Sequence, residues 1–437
     1  MWNRIAIIGL ATIPSLALPA IALAEGPDGA QVSAGDTAWV LGSASLVMLM
    51  TPALAFFYGG MVRQKNALAT LMQSFIIIAL ISIQWVLWGY SLAFGPDVGG
   101  IIGNLDWVGL NGVGLAPNPA YAPTIPHQAF MIFQGMFAII TPALITGAFA
   151  ERIKFKSFLI FVLLWATLVY DPVAHWVWGT GGWLRALGAL DFAGGAVVHI
   201  TSGVGALAAA MVVGRRSGVD EGAGAPHDIT MIVFGAGFLW FGWFGFNAGS
   251  AVASGALATS AFVVTNTAAA MGALVWMTLS WAFSGKPSVI GTVSGAIAGL
   301  AAVTPASGYV TPMGAIMIGL VAGVVCYFAV RLRARSSLDD SLDVWGGHGV
   351  GGTWGVLAVG LFATLAVNSA GANGLFYGSS QQLLTQAFTV VVLWGYSFVV
   401  TFIILKVVDF FFGLRVAEHE EAEGLDLSQH GEAAYNI

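Results

Sequence analysis

Apolar runs of about twenty residues, long enough to cross a hydrocarbon layer at ~1.5 Å per residue, recur along the chain. They fall near 36–60, 67–94, 127–149, 157–178, 192–213, 229–248, 258–282, 289–305, 312–331, 348–366 and 383–412. The pattern predicts eleven spanning helices, with the division between the seventh and eighth marked only by a short polar break. Residues 1–24 carry Arg4, then an apolar stretch, then Ala22-Leu23-Ala24 before Glu25. That order fits a secretory signal peptide, with a further membrane helix as the rival reading. The stretch 95–126 is rich in Gly, Pro and Asn and holds no Lys or Arg. It reads as a cap over one end of the bundle.

Basic residues sharpen the pattern. Arg63, Lys65, Arg152, Lys154, Lys156, Arg215, Arg216, Lys286, Arg331, Arg333, Arg335 and Arg415 all follow odd-numbered spans, whereas the alternate loops hold only Arg185. Under the positive-inside rule the odd spans end in the cytoplasm, so the N-terminus is expected outside and the C-terminus inside. A cleaved signal peptide gives the same orientation.

Composition supports a membrane reading. Of 437 residues, 58% are hydrophobic and 8% charged, against about 25% charged in an average soluble chain. Mean hydropathy is +0.85. The net charge of −6 sits largely in loops and tail, and no basic stripe points to nucleic acid. Cys326, the single cysteine, lies in an apolar run and reads as a small core residue. Many of the 58 glycines lie in spans, where small residues let helices approach. After Gly413 the chain turns polar and acidic. Disorder is one reading of this tail; interspersed Leu, Val and Tyr favour a segment that docks.

Two stretches break the apolar pattern in the same way. Asp191 is followed eight residues later by His199, and Asp340 eight residues later by His348. A carboxylate at a helix start can accept from the orphan N–H groups of the first turn. Each histidine then lies ~12 Å further along its helix, at a depth where an ionisable side chain is costly and usually functional. One such match carries little; two at corresponding places in two halves carry more. Units of five spans ending at each histidine helix would have opposite orientations, the plan of an inverted repeat.

Several stretches together resemble the ammonium transporter (Amt/Rh) family, on the Amt side. They are FFYGGMVRQKNAL at 56–68, FQGMFAIITPALITGAFAER at 133–152, DPVAHWVWG at 171–179, DFAGGAVVHI at 191–200, WFGFNAGSA at 243–251, DVWGGHGVGG at 343–352 and the tail GLRV…EGLDLSQHGEAAYN. GKPSVIGTVSGAIAGLAAVTPASGY at 285–309 adds to them. The resemblance implies an all-α integral membrane protein, not an enzyme and without a cofactor. It implies two inverted five-helix repeats plus a final long helix, one pore per subunit, and a homotrimer.

By that resemblance, Phe137, Trp178 and Ser250 form an ammonium recruitment site, Phe137 and Phe246 a gate, and His199 and His348 a pair of pore histidines. Asp191 takes a structural or electrostatic role near recruitment, though capping alone would explain it. Asp340 and Asp343 are expected to be helix caps. Thr304 matches a position near the central pore. His127, His175 and His227 fall near span ends and are expected at the interface. Residues 1–24 would be the signal peptide, 25–412 the transport domain and 413–437 a cytoplasmic regulatory tail. Ammonium, and methylammonium as an analogue, would be carried across the inner membrane, with a PII-type signalling protein as partner at the cytoplasmic face. One departure is Ser341-Leu342, where the family more often has Pro-Cys. Two other classes stay open: an ammonium sensor that binds without transporting, and a membrane haem protein using the histidines near the spans.

Overall fold

The computed structural model describes residues 31–218 and 225–435. The expected signal peptide, 1–24, lies outside the described residues. Among these residues, ten helices are long and apolar enough to cross a membrane. They are α1 (Ala34–Met61), α2 (Gln64–Phe94), α3 (His127–Phe149), α4 (Phe155–Ala186) and α5 (Gly195–Val213), then α6 (Ile229–Ala251), α7 (Ala256–Ser284), α8 (Val289–Ala306), α9 (Pro312–Ala334) and, after a further helix α10 at 345–362, α11 (Ser380–Phe412). The helix α10, built from Trp345–Gly349 continued by Val350–Phe362, is less apolar because His348 and several glycines lie within it.

Helix starts follow local chemistry. Ser33, Asp228, Ser288 and Thr311 each accept a backbone N–H three residues on, at the starts of α1, α6, α8 and α9. Pro312 occupies the first turn of α9, where a missing N–H costs nothing. The predicted tenth span, 348–366, sits earlier than expected. The structure ends α10 at Phe362 because the next residues are captured elsewhere: Thr364 N donates to Tyr309 O at 2.9 Å and Ala363 O accepts from Gly374 N at 2.7 Å. Apolarity continues past that point, so hydropathy alone overruns the end.

Helix α3 is almost wholly buried and packs on α1, α2 and α5. Helix α1 lies along α6, α7 pairs with α8 and α9, and α11 spans α5 and α10. The segments carrying the two histidines therefore meet near the centre of the bundle.

The cap over one end is compact. β1 (Asp97–Val98) pairs antiparallel with β2 (Ile102–Gly103), and β3 (Pro117–Asn118) with β4 (Ala122–Pro126). Trp176 Nε1 donates to Ile101 O at 2.7 Å and Tyr121 Oη to Phe94 O at 2.7 Å, pinning the hairpins to α4 and α2. His127 and His175 are buried here rather than interfacial. His127 meets Tyr90 Oη at 2.6 Å, and His175 contacts Asp97 Oδ1 at 2.8 Å and Ala93 O at 3.0 Å. The hairpins roof over span ends that the hydropathy pattern leaves open.

At the opposite end the tail docks. Helix α12 (Glu418–Glu423) and the turn at Asp426–His430 lie under the start of α2. Asp426 accepts from Leu68 N at 3.1 Å and Ala69 N at 2.7 Å, a cap supplied from far along the chain. Leu425 N donates to Asn66 Oδ1 at 2.8 Å. Leu425, Val416 and Ala69 form a small apolar cluster, which is why the Leu and Val of an otherwise acidic tail matter.

Candidate functional site

A series of cavities runs along the bundle axis. Below the hairpins lies one of about 540 Å³, lined in part by Phe137, Trp178, Ser250, Asp191, Gln134 and Tyr309. The structure thus brings together the three residues expected to form a recruitment site. The Phe137 and Trp178 rings meet edge to face, 5.9 Å apart at 83°. Ser250 Oγ donates to Phe246 O at 2.8 Å, which leaves its lone pairs available as acceptors.

Phe137 and Phe246 close the floor of this cavity, with ring centroids 4.5 Å apart and planes at 47°. Beneath them is a narrow lumen of about 10 Å³, room for about one water, walled by Phe246, Trp243, Val198, Ile140, His199 and His348. His348 also lines the next cavity, of about 320 Å³, with Tyr58, Asp343 and Arg216 toward the tail end.

Asp191 fixes this arrangement. Its Oδ1 accepts from Gly194 N at 2.8 Å and Gly195 N at 2.7 Å, and its Oδ2 from Ala196 N at 2.8 Å and Val197 N at 3.0 Å. One carboxylate thus satisfies the four orphan N–H groups of α5. Gly194, at φ 118°, makes the turn that brings the chain back over the carboxylate, and no side chain is comfortable there. Asp191's own carbonyl accepts from Trp178 Nε1 at 2.8 Å. Helix α5 then opens with a π-type turn, in which His199 N reaches Gly194 O at 3.0 Å. Such turns occur often at functional sites.

His199 and His348 meet Nδ1 to Nδ1 at 3.2 Å, one donating and the other accepting, with rings 5.1 Å apart at 26°. His199 also stacks on Phe246 at 5.9 Å and 15°. Its Nε2 is buried and has no hydrogen-bond partner among the described residues. Glycine at the crossing of α5 and α10 permits this contact. A Cβ on Gly203 would lie 2.1 Å from Gly349 N, so only bare backbone lets the helices come so close.

The second Asp–His segment is similar in outline and different in detail. Asp340 is buried and its Oδ2 accepts from Trp345 N at 2.7 Å, the geometry of a cap. Asp343, also expected to cap, instead directs its carboxylate to Arg333, 2.8 Å from Nε and 2.6 Å from NH2. Its carbonyl accepts from Gly347 N at 2.9 Å. The φ of 58° at Asp343 turns its side chain away from the helix start.

Several contributors stand outside the residues that the sequence singled out. Gln386, fully buried on α11, pairs with both backbone groups of Leu190, beside Asp191. Trp243 Nε1 donates to Thr304 Oγ1 at 2.9 Å, setting the indole that walls the lumen beside His199. Gln134 leaves a buried Oε1 at the edge of the upper cavity, without a partner among the described residues. A glutamine amid an apolar span was visible as a polar interruption; its partner was not.

Comparisons with known proteins agree with this arrangement. The Ammonium Transporter Family matches residues 38–435. The chain is 54% identical to an ammonium transporter of Bacillus subtilis, over 92% of this chain and 98% of that one. It is 52% identical to ammonium transporter Amt1 of Archaeoglobus fulgidus, over 92% of this chain and all of that one. The crystal structure of Candida albicans Mep2 superposes with a TM-score of 0.84 at 39% identity, covering 89% and 88% of the two chains. A family match across nearly all of the described bundle, with relatives of more than half identity, makes this chain a multi-pass α-helical membrane protein of the Ammonium Transporter Family.

Proposed function

We propose that the chain carries ammonium inward, recruiting the ion at Phe137, Trp178 and Ser250, passing it between Phe137 and Phe246, and splitting it at His199 and His348 into ammonia and a proton. The contact between two buried imidazoles in an otherwise apolar lumen is the observation that carries this reading. Aromatic faces give a cation ~0.5–2 kcal/mol. Full desolvation of an ion in a low-dielectric interior costs tens of kcal/mol by Born solvation. The aromatic site therefore attracts ammonium but cannot carry the bare ion through the lumen. Neutral ammonia meets a far smaller barrier, and each imidazole can donate from one nitrogen and accept at the other. Potassium has no proton to release and would be refused on these terms.

The reading extends to the rest of the chain. Residues 1–24 act as a signal peptide, 25–412 as the transport domain, and 413–437 as a regulatory tail on the cytoplasmic side. The protein lies in the inner membrane as a homotrimer with its N-terminus outside, and a PII-type protein meets the tail end. Methylammonium is the natural probe substrate. Asp191 serves the pore by holding Trp178 through its carbonyl and the His199 helix through its carboxylate.

The test is current from proteoliposomes after an ammonium jump, for the parent, His199→Ala and His348→Ala. A saturable current in the parent that is abolished, or becomes permeable to potassium, in the variants supports the reading. Equal potassium current in the parent would overturn selection by deprotonation, and ammonium binding without flux would make the chain a sensor.

A further inference from the structure

Among the described residues that line the upper cavity, Arg185, near the end of α4, is the only cation and Asp191 the only anion. The two are placed differently. Asp191 is buried and four N–H groups enclose its carboxylate, whereas Arg185 is exposed at the solvent side of the cavity. No carboxylate pairs with Arg185 among the described residues. Its NH1 donates to Trp178 O at 2.7 Å, at the end of the helical run Asp171–Trp178. Trp178 is thus held twice, by Arg185 at its carbonyl and by Asp191 O at its indole N–H. A neutral donor would satisfy that carbonyl as well. What the guanidinium adds is a positive charge, always present and unneutralised, fixed to a residue whose ring faces a cavity suited to cations.

We infer that Arg185 is a specificity-determining residue that keeps divalent cations out of the upper cavity. Repulsion by a fixed charge grows with the valence of the visitor. Across the ~10 Å width that about 540 Å³ implies, one unit charge in water-like surroundings lowers the occupancy of a monovalent cation about twofold and of a divalent one about fourfold. The cavity gives a hard divalent ion reason to enter, because Gln134 Oε1 and Ser250 Oγ offer oxygen lone pairs. Ammonium meets the smaller penalty and recovers it at the rings of Phe137 and Trp178. The inference rests on the reading of this cavity as the ammonium recruitment site.

The experiment is ammonium current from proteoliposomes at low ionic strength with magnesium chloride added, for the parent, Arg185→Gln and Arg185→Lys. Glutamine keeps a donor for Trp178 O and loses the charge; lysine keeps both. Arg185→Gln should lower the half-maximal ammonium concentration about twofold and the magnesium concentration that halves the current about fourfold, and Arg185→Lys should restore the parent's response. In 1 M sodium chloride, where the screening length is about 3 Å, both differences should vanish. A residue that served only to hold Trp178 would shift both cations by one factor, in salt as without it. One common factor, differences that persist in salt, or a lysine variant that behaves as glutamine would overturn the inference. Calorimetric titration of magnesium chloride into the solubilised full chain reads the same charge without flux. Arg185→Gln should bind magnesium about fourfold more tightly than the parent, and equal affinities would overturn the inference. A parent without saturable ammonium current would strike the recruitment reading instead, and the titration would then decide the role of Arg185.

Discussion

Gln386 holds Leu190 by both of its backbone groups. Leu190 N donates to Gln386 Oε1 at 2.9 Å, and Gln386 Nε2 donates to Leu190 O at 2.7 Å, as one strand would to another. The amide also reaches Val356 O at 3.2 Å and is bonded by Gln382 Nε2 at 3.3 Å. Leu190 precedes the aspartate whose carbonyl orients Trp178, so the Gln386 amide ties α11 to that segment, beside Gln382, which lines the upper cavity itself.

Gln386→Leu should therefore raise the ammonium concentration for half-maximal current several-fold while leaving the maximal current near the parent's. An unsatisfied buried amide costs about 1–3 kcal/mol, enough to let the Leu190–Asp191 segment shift. Gln386→Glu keeps an acceptor for Leu190 N but loses the donors, and should fall between. A purely scaffolding role would instead lower thermal stability and maximal current together without moving the half-maximal concentration.

The same site separates what a sequence can disclose from what it cannot. The helices were legible because hydrocarbon imposes a length and a composition on each. The Asp–His spacings were legible because an ionisable residue in such a run has few excuses. Gln386 was not: a polar residue in a span says that a partner exists and not where it is. Nor was the φ of Asp343, which sends its carboxylate to Arg333 rather than to a helix start, since cap and ion pair draw on the same residue type. Burial of His127 and His175 depends on hairpins whose short pairings have no hydrophobic period to detect.

Gly203→Ala tests the close approach beneath the histidines. The new methyl carbon would sit 2.1 Å from Gly349 N and 2.9 Å from His348 C, against backbone that cannot rotate aside. Overpacking of this kind costs about 1–3 kcal/mol, and the strain falls on the contact between His199 and His348. Thermal unfolding should shift down and ammonium current should fall well below the parent's. Ala301→Gly, a buried change in α8, serves as a control, expected to lower stability without removing the current.

Glu421→Ala should release the tail. This carboxylate, 1% exposed, accepts from Ser217 N at 2.6 Å and from Arg415 NH2 at 2.6 Å, tying α12 to the loop after α5 and to the start of the tail. Arg415 is partly exposed, so the loss is set mainly by the stranded N–H, at about 1–3 kcal/mol. Hydrogen exchange over residues 418–430 should quicken, with exchange in α3 unchanged. Protection of the tail equal to the parent's would show that the remaining contacts, among them those of Asp426, Asn66 and Lys65, suffice to hold it.

Asp339 gives the loops near the docked tail a dependence on pH whose sign follows from its partners. Burial alone would raise its carboxyl. Arg216 outweighs that with bonds from N at 2.9 Å, Nε at 3.0 Å and NH2 at 2.9 Å, and the charges of Arg152 and Arg216 add to it, holding the group below the ordinary carboxylate range. A carboxylate depressed in the native state adds stability that is fully present above its unfolded value, ~3.9, and is lost as pH falls through the native one. The contribution should thus be intact from neutral pH down to about 4 and decline below it. Asp339→Asn should be less stable than the parent at pH 7 and should approach it at pH 3. Thermal unfolding of the two proteins across that interval checks the sign, because a gap that widened toward acid would mean that the native state raises this carboxyl instead.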